Sequence, residues 1–382
     1  MRLRFVFAPT LVLVLTALIV LPASAAPAGN ARQDFIVVLK DSVARAAPVA
    51  AEHSQRFGGE VRYVYEHALK GYAGSFSEGQ LGALLADGRV ASVERDAEMT
   101  ASTTQGGATW GIDRIDQLAL PLSGSFTYTN TGTAVKAYIV DTGIRFSHSE
   151  FGGRAINGFD SVDGGTADDC HGHGTHVAGT VGGGIYGVAK GVTLVAVRVL
   201  NCSGSGTTAG VIAGVDWVTG NHAPGQPAVA NMSLGGSRSN SLDNAVRNSI
   251  ADGVSYAIAA GNSNRNACNF SPARVAEAMT IGATDQTDQR ASFSNRGDCV
   301  DWFAPGVGIT SAWYSSTTAT NTISGTSMAT PHTAGVAALY LQGKTGVATS
   351  PATVRAALFN LTTKGIVTSA RTANNHLLFT NL

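Results

Sequence analysis

VKAYIVDTGI, Val135 to Ile144, is an apolar run closed by an acidic residue, and its reading decides the fold. Ala137 to Val140 carries no charged side chain, so the run reads as a strand buried on both faces rather than one with a solvent side. Four further runs share this character: VTLVAVRVL (Val192 to Leu200), AVANMSL (Ala228 to Leu234), VSYAIAA (Val254 to Ala260) and AMTIGAT (Ala278 to Thr284). Helical candidates lie between or after them, at His173 to Gly184, Thr207 to Thr219, Leu242 to Asp252 and Ser327 to Gln342. Buried strands alternating with helices predict an α/β fold, a three-layer, mostly parallel sheet with helices on both faces. In such sheets ligands bind at the carboxyl ends of strands, which makes the polar residues after each run the ones to examine.

The chain before Trp110 is different. Arg2 and Arg4, an apolar run to Leu21 and then Ala23-Ser24-Ala25 have the three parts of a secretory signal, so residues 1–25 are expected to be removed. The run is short for a membrane span and contains Pro9, and no later segment is apolar enough to cross. A secreted, extracellular protein without a membrane partner is expected. Within 26–102, and mainly 34–100, the pattern reads strand (Asp34 to Lys40), helix (Ser42 to Phe57), strands (Val61 to Glu66, Gly71 to Ser77), helix (Glu78 to Asp87), strand (Val90 to Met99). That βαββαβ order predicts a small α+β, ferredoxin-like domain. MTASTTQGGATW, Met99 to Trp110, is small, polar and uncharged, and reads as an exposed linker.

The 382 residues balance 26 Lys and Arg against 26 Asp and Glu, which argues against nucleic acid as a partner. Export makes Cys170, Cys202, Cys268 and Cys299 two disulfides rather than metal ligands. Three pairings are possible, of which pairing neighbours closes two loops of similar length.

Three stretches carry candidate chemistry: Asp141 at the end of the first strand; CHGHGTHVAG, Cys170 to Gly179, with three histidines; and SGTSMATPHTAG, Ser324 to Gly335. A serine nucleophile needs a base within hydrogen-bond reach, and the base needs an orienting carboxylate. The residues occur in the order Asp, His, Ser. An α/β-hydrolase would need its acid and then its histidine after the serine, yet no Asp or Glu follows Ser327, which also disfavours an esterase or lipase. A zinc site among the histidines would require a free Cys170.

The segments VDTGI, GHGTHVAG and SGTSMATPHTAG resemble the three signature segments of subtilisin-like serine proteases, in order and general spacing. The likeness runs from Trp110 to Leu382 and is greatest for the proteinase K branch, aqualysin-like enzymes in particular. It implies a serine endopeptidase with Asp141 as orienting acid, His173 as base and Ser327 as nucleophile at a helix start. The nearer His332, together with His171 and His176, is left without that role, and Pro331 is expected in the first helical turn. The presence of the whole set with Asn262 argues against a catalytically silent relative. Asn262 corresponds to the oxyanion-hole asparagine, and the N–H of Ser327 would be the second donor.

The same resemblance implies that Gly204, Ser205 and Gly206, and Ser233, Leu234 and Gly235, bracket an extended peptide, with small Ala259, Ala260 and Gly261 beside a roomy pocket of broad specificity. It pairs Cys170 with Cys202 and Cys268 with Cys299. It implies structural Ca2+ at two places: Asp113, Asp116, Gln117, Ser123 and Ser125; and Asp301 with the carbonyls of Ala276 and Ala278. The leading domain resembles the family's propeptide inhibitors, which assist folding and then block the cleft. A monomeric zymogen cut near Ser102/Thr103, leaving 103–382 as the catalytic domain acting on proteins and peptides, is thereby expected. Activity should fall as pH drops through the pKa of His173, about 6–7 from the reference value.

Overall fold

A computed structural model describes residues 32–96 and 102–382, in two compact units, Met1–Met99 and Thr100–Leu382. The expected signal, 1–25, lies outside the described residues. The first unit runs β1 (Arg32–Leu39), α1 (Ala46–Phe57), β2 (Glu60–Tyr65), β3 (Gly71–Ser77), α2 (Glu78–Ala86) and β4 (Val90–Arg95). Its antiparallel sheet has the order β2-β3-β1-β4, with Val37 between Tyr72 and Val93. Phe35, Val37, Leu39, Val49, Tyr72, Phe76 and Leu84 form its core. The expected βαββαβ order is met. Helix α1, however, starts at Ala46 rather than Ser42, because its first N–H groups find their acceptor far away in sequence: the Glu66 carboxylate takes Ala46 N–H (3.1 Å) and Ala47 N–H (2.9 Å).

The second unit opens with β5 (Thr103–Gly106), α3 (Trp110–Ile115), β6 (Ser125–Tyr128), β7 (Lys136–Asp141), β8 (Ala155–Asp160), α4 (His173–Gly182), β9 (Thr193–Arg198) and α5 (Thr208–Asn221). It continues with β10 (Ala228–Met232), β11 (Gly236–Ser237), α6 (Asn240–Asp252), β12 (Ser255–Ala259), β13 (Phe270–Ser271), β14 (Met279–Thr284) and β15 (Trp302–Pro305). It closes with β16 (Ile309–Ala312), β17 (Thr320–Ile323), α7 (Thr326–Leu341) and α8 (Pro351–Leu361). Part of the expected linker is therefore a strand. Thr103 and Thr104 favour extended backbone, and Thr104 Oγ1 lies 3.1 Å from Thr127 Oγ1 across the β5–β6 pair.

The main sheet has seven strands, β15-β14-β12-β10-β7-β9-β8, paired in parallel throughout. Alternate residues of its central strands feed two cores. Ala137, Ile139, Val229 and Ala257 face one with Val177, Val181 and Met328 of α4 and α7. Tyr138, Val140, Ala230, Met232, Tyr256 and Ile258 face the other, with Val211, Val215 and Val246 of α5 and α6. Both faces being covered explains why these strands are apolar throughout and do not alternate. The chain builds β8 and β9 to one side of β7 and β10 onward to the other, so the crevice where strand order reverses opens beyond Asp141.

Candidate active site

The carboxyl edge of the sheet gathers the sequence candidates. Asp141 ends β7, His173 starts α4, Asn262 follows β12 and Ser327 is the second residue of α7. His173 Nδ1 is 2.7 Å from Asp141 Oδ1, with Asp141 fully buried and the His173 side chain 20% exposed. Thr142 N–H donates to the same Asp141 oxygen at 2.8 Å. Burial alone would push the His173 pKa down. The Asp141 charge and hydrogen bond, joined by the charge of Asp169, outweigh it and raise the pKa above the ordinary value. The geometry gives an imidazole with one nitrogen fixed by a carboxylate and the other without a partner among the described residues.

Asp169 holds this histidine's helix start from below. Its Oδ1 accepts Thr142 Oγ1–H (2.9 Å), His171 N–H (2.9 Å) and Gly172 N–H (2.9 Å); its Oδ2 accepts Thr175 N–H (2.9 Å) and Thr175 Oγ1–H (2.6 Å). One buried carboxylate thus satisfies donors left over at the start of α4 and on the loop leading to it. Sequence reasoning passed over Asp169. Its proximity to the histidine cluster, in DDCHGHGTH, was the available signal.

Ser327 is set by a feature that sequence reading misplaced. Pro331 is the sixth residue of α7, not in its first turn. Having no N–H, it leaves the carbonyl four residues back, that of Ser327, without its helical partner. Ser233 Oγ–H fills the gap, donating to Ser327 O at 2.8 Å, while Ser327 Oγ–H donates to Ser233 O at 3.0 Å. The two serines are therefore locked reciprocally across the cleft. Among the described residues, Ser327 N–H has no acceptor, so a donor stands free beside its hydroxyl.

Asn262 is oriented by Thr326. Its Oδ1 accepts both Thr326 N–H (2.9 Å) and Thr326 Oγ1–H (2.8 Å). A backbone N–H can only donate, so the amide oxygen must face Thr326 and the NH2 group the other way. A Cβ at Gly325 would lie 3.4 Å from Asn262 Nδ2, which puts that NH2 group beside the loop entering α7. Gly261 has φ 99°, and a Cβ there would meet Asn295 Nδ2 at 2.5 Å. Buried Asn295 braces the loop, donating to Ala260 O (2.7 Å) and accepting Ser263 N–H (3.1 Å) and Arg265 N–H (2.9 Å).

Two adjoining cavities share the wall Leu234–Ser237. One, about 440 Å³, is lined by His173, Gly204, Ser205, Gly206, Ser233 and Leu234 among others. The other, about 300 Å³, has Ala259, Ala260, Gly261, Asn262 and Ser327 in its lining. Neither Gly204–Gly206 nor Ser233–Gly235 belongs to a strand; Gly204 N–H, Ser205 N–H and Ser205 O are turned to Asn201 and Ser233 O to Ser327, while the backbone groups of Gly206 and Leu234 have no partner among the described residues and can face an extended chain. The disulfide Cys170–Cys202 ties the loop before His173 to the wall at Gly204, and Cys268–Cys299 forms the second bridge.

The other histidines are engaged elsewhere. His176 Nε2 meets Ile309 O at 3.0 Å and His332 Nδ1 meets Met328 O at 2.9 Å; burial depresses each pKa to about 4. His171 Nδ1 accepts His173 N–H at 3.3 Å, and His171 lines the larger cavity.

The two expected calcium positions differ. In the first, Asp113 Oδ1 accepts Ser123 N–H (3.1 Å) and Oγ–H (3.0 Å), and Gln117 Oε1 accepts Ser123 N–H at 3.1 Å. Ser123 Oγ and Ser125 Oγ lie 2.9 Å apart. Asp116 Oδ1 is buried without a partner, and burial, aided by the Asp113 charge, lifts the Asp116 pKa to about 6. Arg114 turns away to Asp288 (2.8 and 2.9 Å), leaving neither carboxylate a basic partner among the described residues. An oxygen-rich loop with an orphaned carboxylate oxygen fits a hard cation. At the second position the oxygens of two of the three members are already engaged. Arg355 donates through Nη2 to Asp301 Oδ1 and through Nε to Ala278 O at 3.2 Å, while Thr280 N–H takes Asp301 Oδ2 at 2.7 Å. Of the expected set of Asp301, Ala276 and Ala278, a guanidinium thus stands on two members, Asp301 and Ala278.

Comparison with known proteins gives the family. The model of the subtilase family matches residues 132–378, and that of peptidase inhibitor I9 matches 34–102. The extracellular serine proteinase of Thermus sp. (strain Rt41A) is 58% identical over 325 residues, 85% of this chain and 78% of that protein. Alkaline serine exoprotease A of Vibrio alginolyticus is 54% identical over 327 residues, 84% of this chain and 60% of that protein. The crystal structure of a cold adapted subtilisin-like serine proteinase superposes with a TM-score of 0.69 at 55% identity, covering 72% of this chain and 98% of that one. The chain belongs to the subtilase family and is a subtilisin-like serine proteinase carrying an I9-type inhibitor propeptide.

Proposed function

We propose that the chain is a secreted endopeptidase of broad specificity, made as a zymogen that processes itself. In this reading residues 1–25 direct export, 26–102 form the propeptide and 103–382 the catalytic domain, with cleavage near Ser102/Thr103. The observation that carries it is the buried Asp141 paired at 2.7 Å to His173 in the same cleft system that holds Ser327.

A peptide lies extended between Gly204–Gly206 and Ser233–Gly235, its side chain entering the cavity beside Ala259, Ala260 and Gly261. The Ser327 hydroxyl leaves Ser233 O, passes its proton to the free nitrogen of neutral His173 and attacks the peptide carbonyl carbon. The oxyanion that forms is met by Ser327 N–H and Asn262 Nδ2. His173, now cationic and held by Asp141, returns the proton to the leaving amine. Water, activated in turn by His173, hydrolyses the acyl ester on Ser327. Broad specificity follows from recognition through backbone groups and a cavity lined by small residues. The loop of Asp113, Asp116, Gln117, Ser123 and Ser125 would hold Ca2+, which links β6 to α3 without entering the chemistry.

The test is secretion of the full chain beside Ser327→Ala. The native protein should shorten by the propeptide and hydrolyse casein, whereas the alanine variant stays full-length and inert. Processing and caseinolysis undiminished in Ser327→Ala would remove the nucleophile assignment.

A further inference from the structure

We propose that Arg355 stands in for a metal ion at Asp301, so that this chain fastens α8 to β14 and β15 by a covalently attached cation and binds no calcium there. This does not depend on the catalytic reading above.

The argument begins with burial. The Asp301 side chain is 11% exposed just before β15, and Ala278 is buried just before β14. A carboxylate in that setting requires a compensating positive charge. A divalent cation could supply it, but needs six or more oxygens at about 2.3–2.6 Å. The chain supplies a guanidinium instead. Arg355 sits on α8 between buried residues: Val354, its neighbour, and Leu358, one turn on, are both fully buried, so the helix face that carries it is anchored to the core. From there its planar fork reaches two acceptors on separate segments, the Asp301 carboxylate and the Ala278 carbonyl. Two parallel N–H donors suit such a pair of oxygens better than the point charge of a lysine. Thr280 N–H donates to the remaining Asp301 oxygen, and of the acids nearby in sequence Glu277 is 3.3 Å from Arg247 and Asp298 is exposed. A cation entering here would have to displace the guanidinium and then lie beside it, like charge against like.

The consequence is functional independence from calcium at this position. A metal ion stabilises only as far as its concentration exceeds its dissociation constant, and then by the logarithm of that ratio, whereas a side chain is always present.

The experiment counts calcium bound to the purified mature protein by equilibrium dialysis and metal analysis, for the native chain, Arg355→Ala, Asp301→Asn and the double variant. Native protein and Asp301→Asn are expected to bind the same number of ions. Arg355→Ala is expected to gain one, and the double variant to lose it again. A calcium lost in Asp301→Asn relative to the native chain, or no gain in Arg355→Ala, overturns the proposal. Should Asp301→Asn fail to fold, a calorimetric calcium titration of native protein against Arg355→Ala decides alone: one additional binding event in the variant supports the proposal, and identical titrations refute it.

Discussion

Thr326 holds Asn262 twice, its N–H at 2.9 Å and its hydroxyl at 2.8 Å from the same amide oxygen, and thereby turns the Asn262 NH2 group toward the cleft. The Thr326 hydroxyl also accepts Gly261 N–H at 3.1 Å, so one threonine fixes both the loop and its amide.

Thr326→Val keeps the shape and removes the hydroxyl. Losing a net hydrogen bond of about 1 kcal/mol should lower kcat about five- to tenfold with little change in KM. Asn262→Ala should cost about 10²–10³ in kcat. Because Thr326 acts through Asn262, the double variant should be no worse than Asn262→Ala alone. Steady-state kinetics on a peptide amide would show additive losses if the two acted separately.

In the proposed mechanism the neutral form of His173 is the base, and Asp141 and Asp169 raise its pKa. The acid limb of kcat/KM should therefore lie above the ordinary histidine value of about 6.5. Asp141→Asn should move that limb to lower pH and reduce kcat on the order of 10⁴-fold, the scale seen when this acid is neutralised in Ser-His-Asp enzymes generally. A pH–rate profile whose acid limb is unmoved by the substitution would count against the pairing.

Asp116 binds its proton more tightly in the fold than in the unfolded chain, with a pKa of about 6. Its charge therefore weakens the native state above that pH unless a cation offsets it, and protons compete with calcium below it. The gap in Tm between calcium and chelator should be wide at about pH 8 and narrow at about pH 5, given the reference carboxylate value near 4. Asp116→Asn should close most of the gap at the higher pH. Differential scanning calorimetry on Ser327→Ala, expected to be inert, avoids self-digestion.

The Cys170–Cys202 bridge spans 32 residues. Replacing both cysteines with alanine should cost about 3–4 kcal/mol in the chain-entropy account. Since one cysteine adjoins His171 and the other the wall at Gly204, KM for long peptides should rise as well. A changed Tm with unchanged KM would make the bridge purely a staple.

The sequence by itself determined most of the architecture. Strands buried on both faces must be apolar throughout, so β7, β9, β10, β12 and β14 announce a parallel sheet, and the carboxyl-edge rule points to the polar residues that follow them. Asp141, His173, Ser327 and Asn262 stood out as candidates because each sits in a local motif, and folding brings all four to the carboxyl edge of the sheet. Other decisions were made by partners remote in sequence, which no local pattern encodes. Glu66 set where α1 begins. Ser233 took the carbonyl that Pro331 released. Asp288 drew Arg114 away from the acidic loop, leaving Asp116 open to a cation. Arg355, which the sequence reading did not single out, came to rest on Asp301 at the other expected metal position. The physical reason is common to all four. A buried polar group must be satisfied, and which group satisfies it depends on what folding brings within about 3 Å.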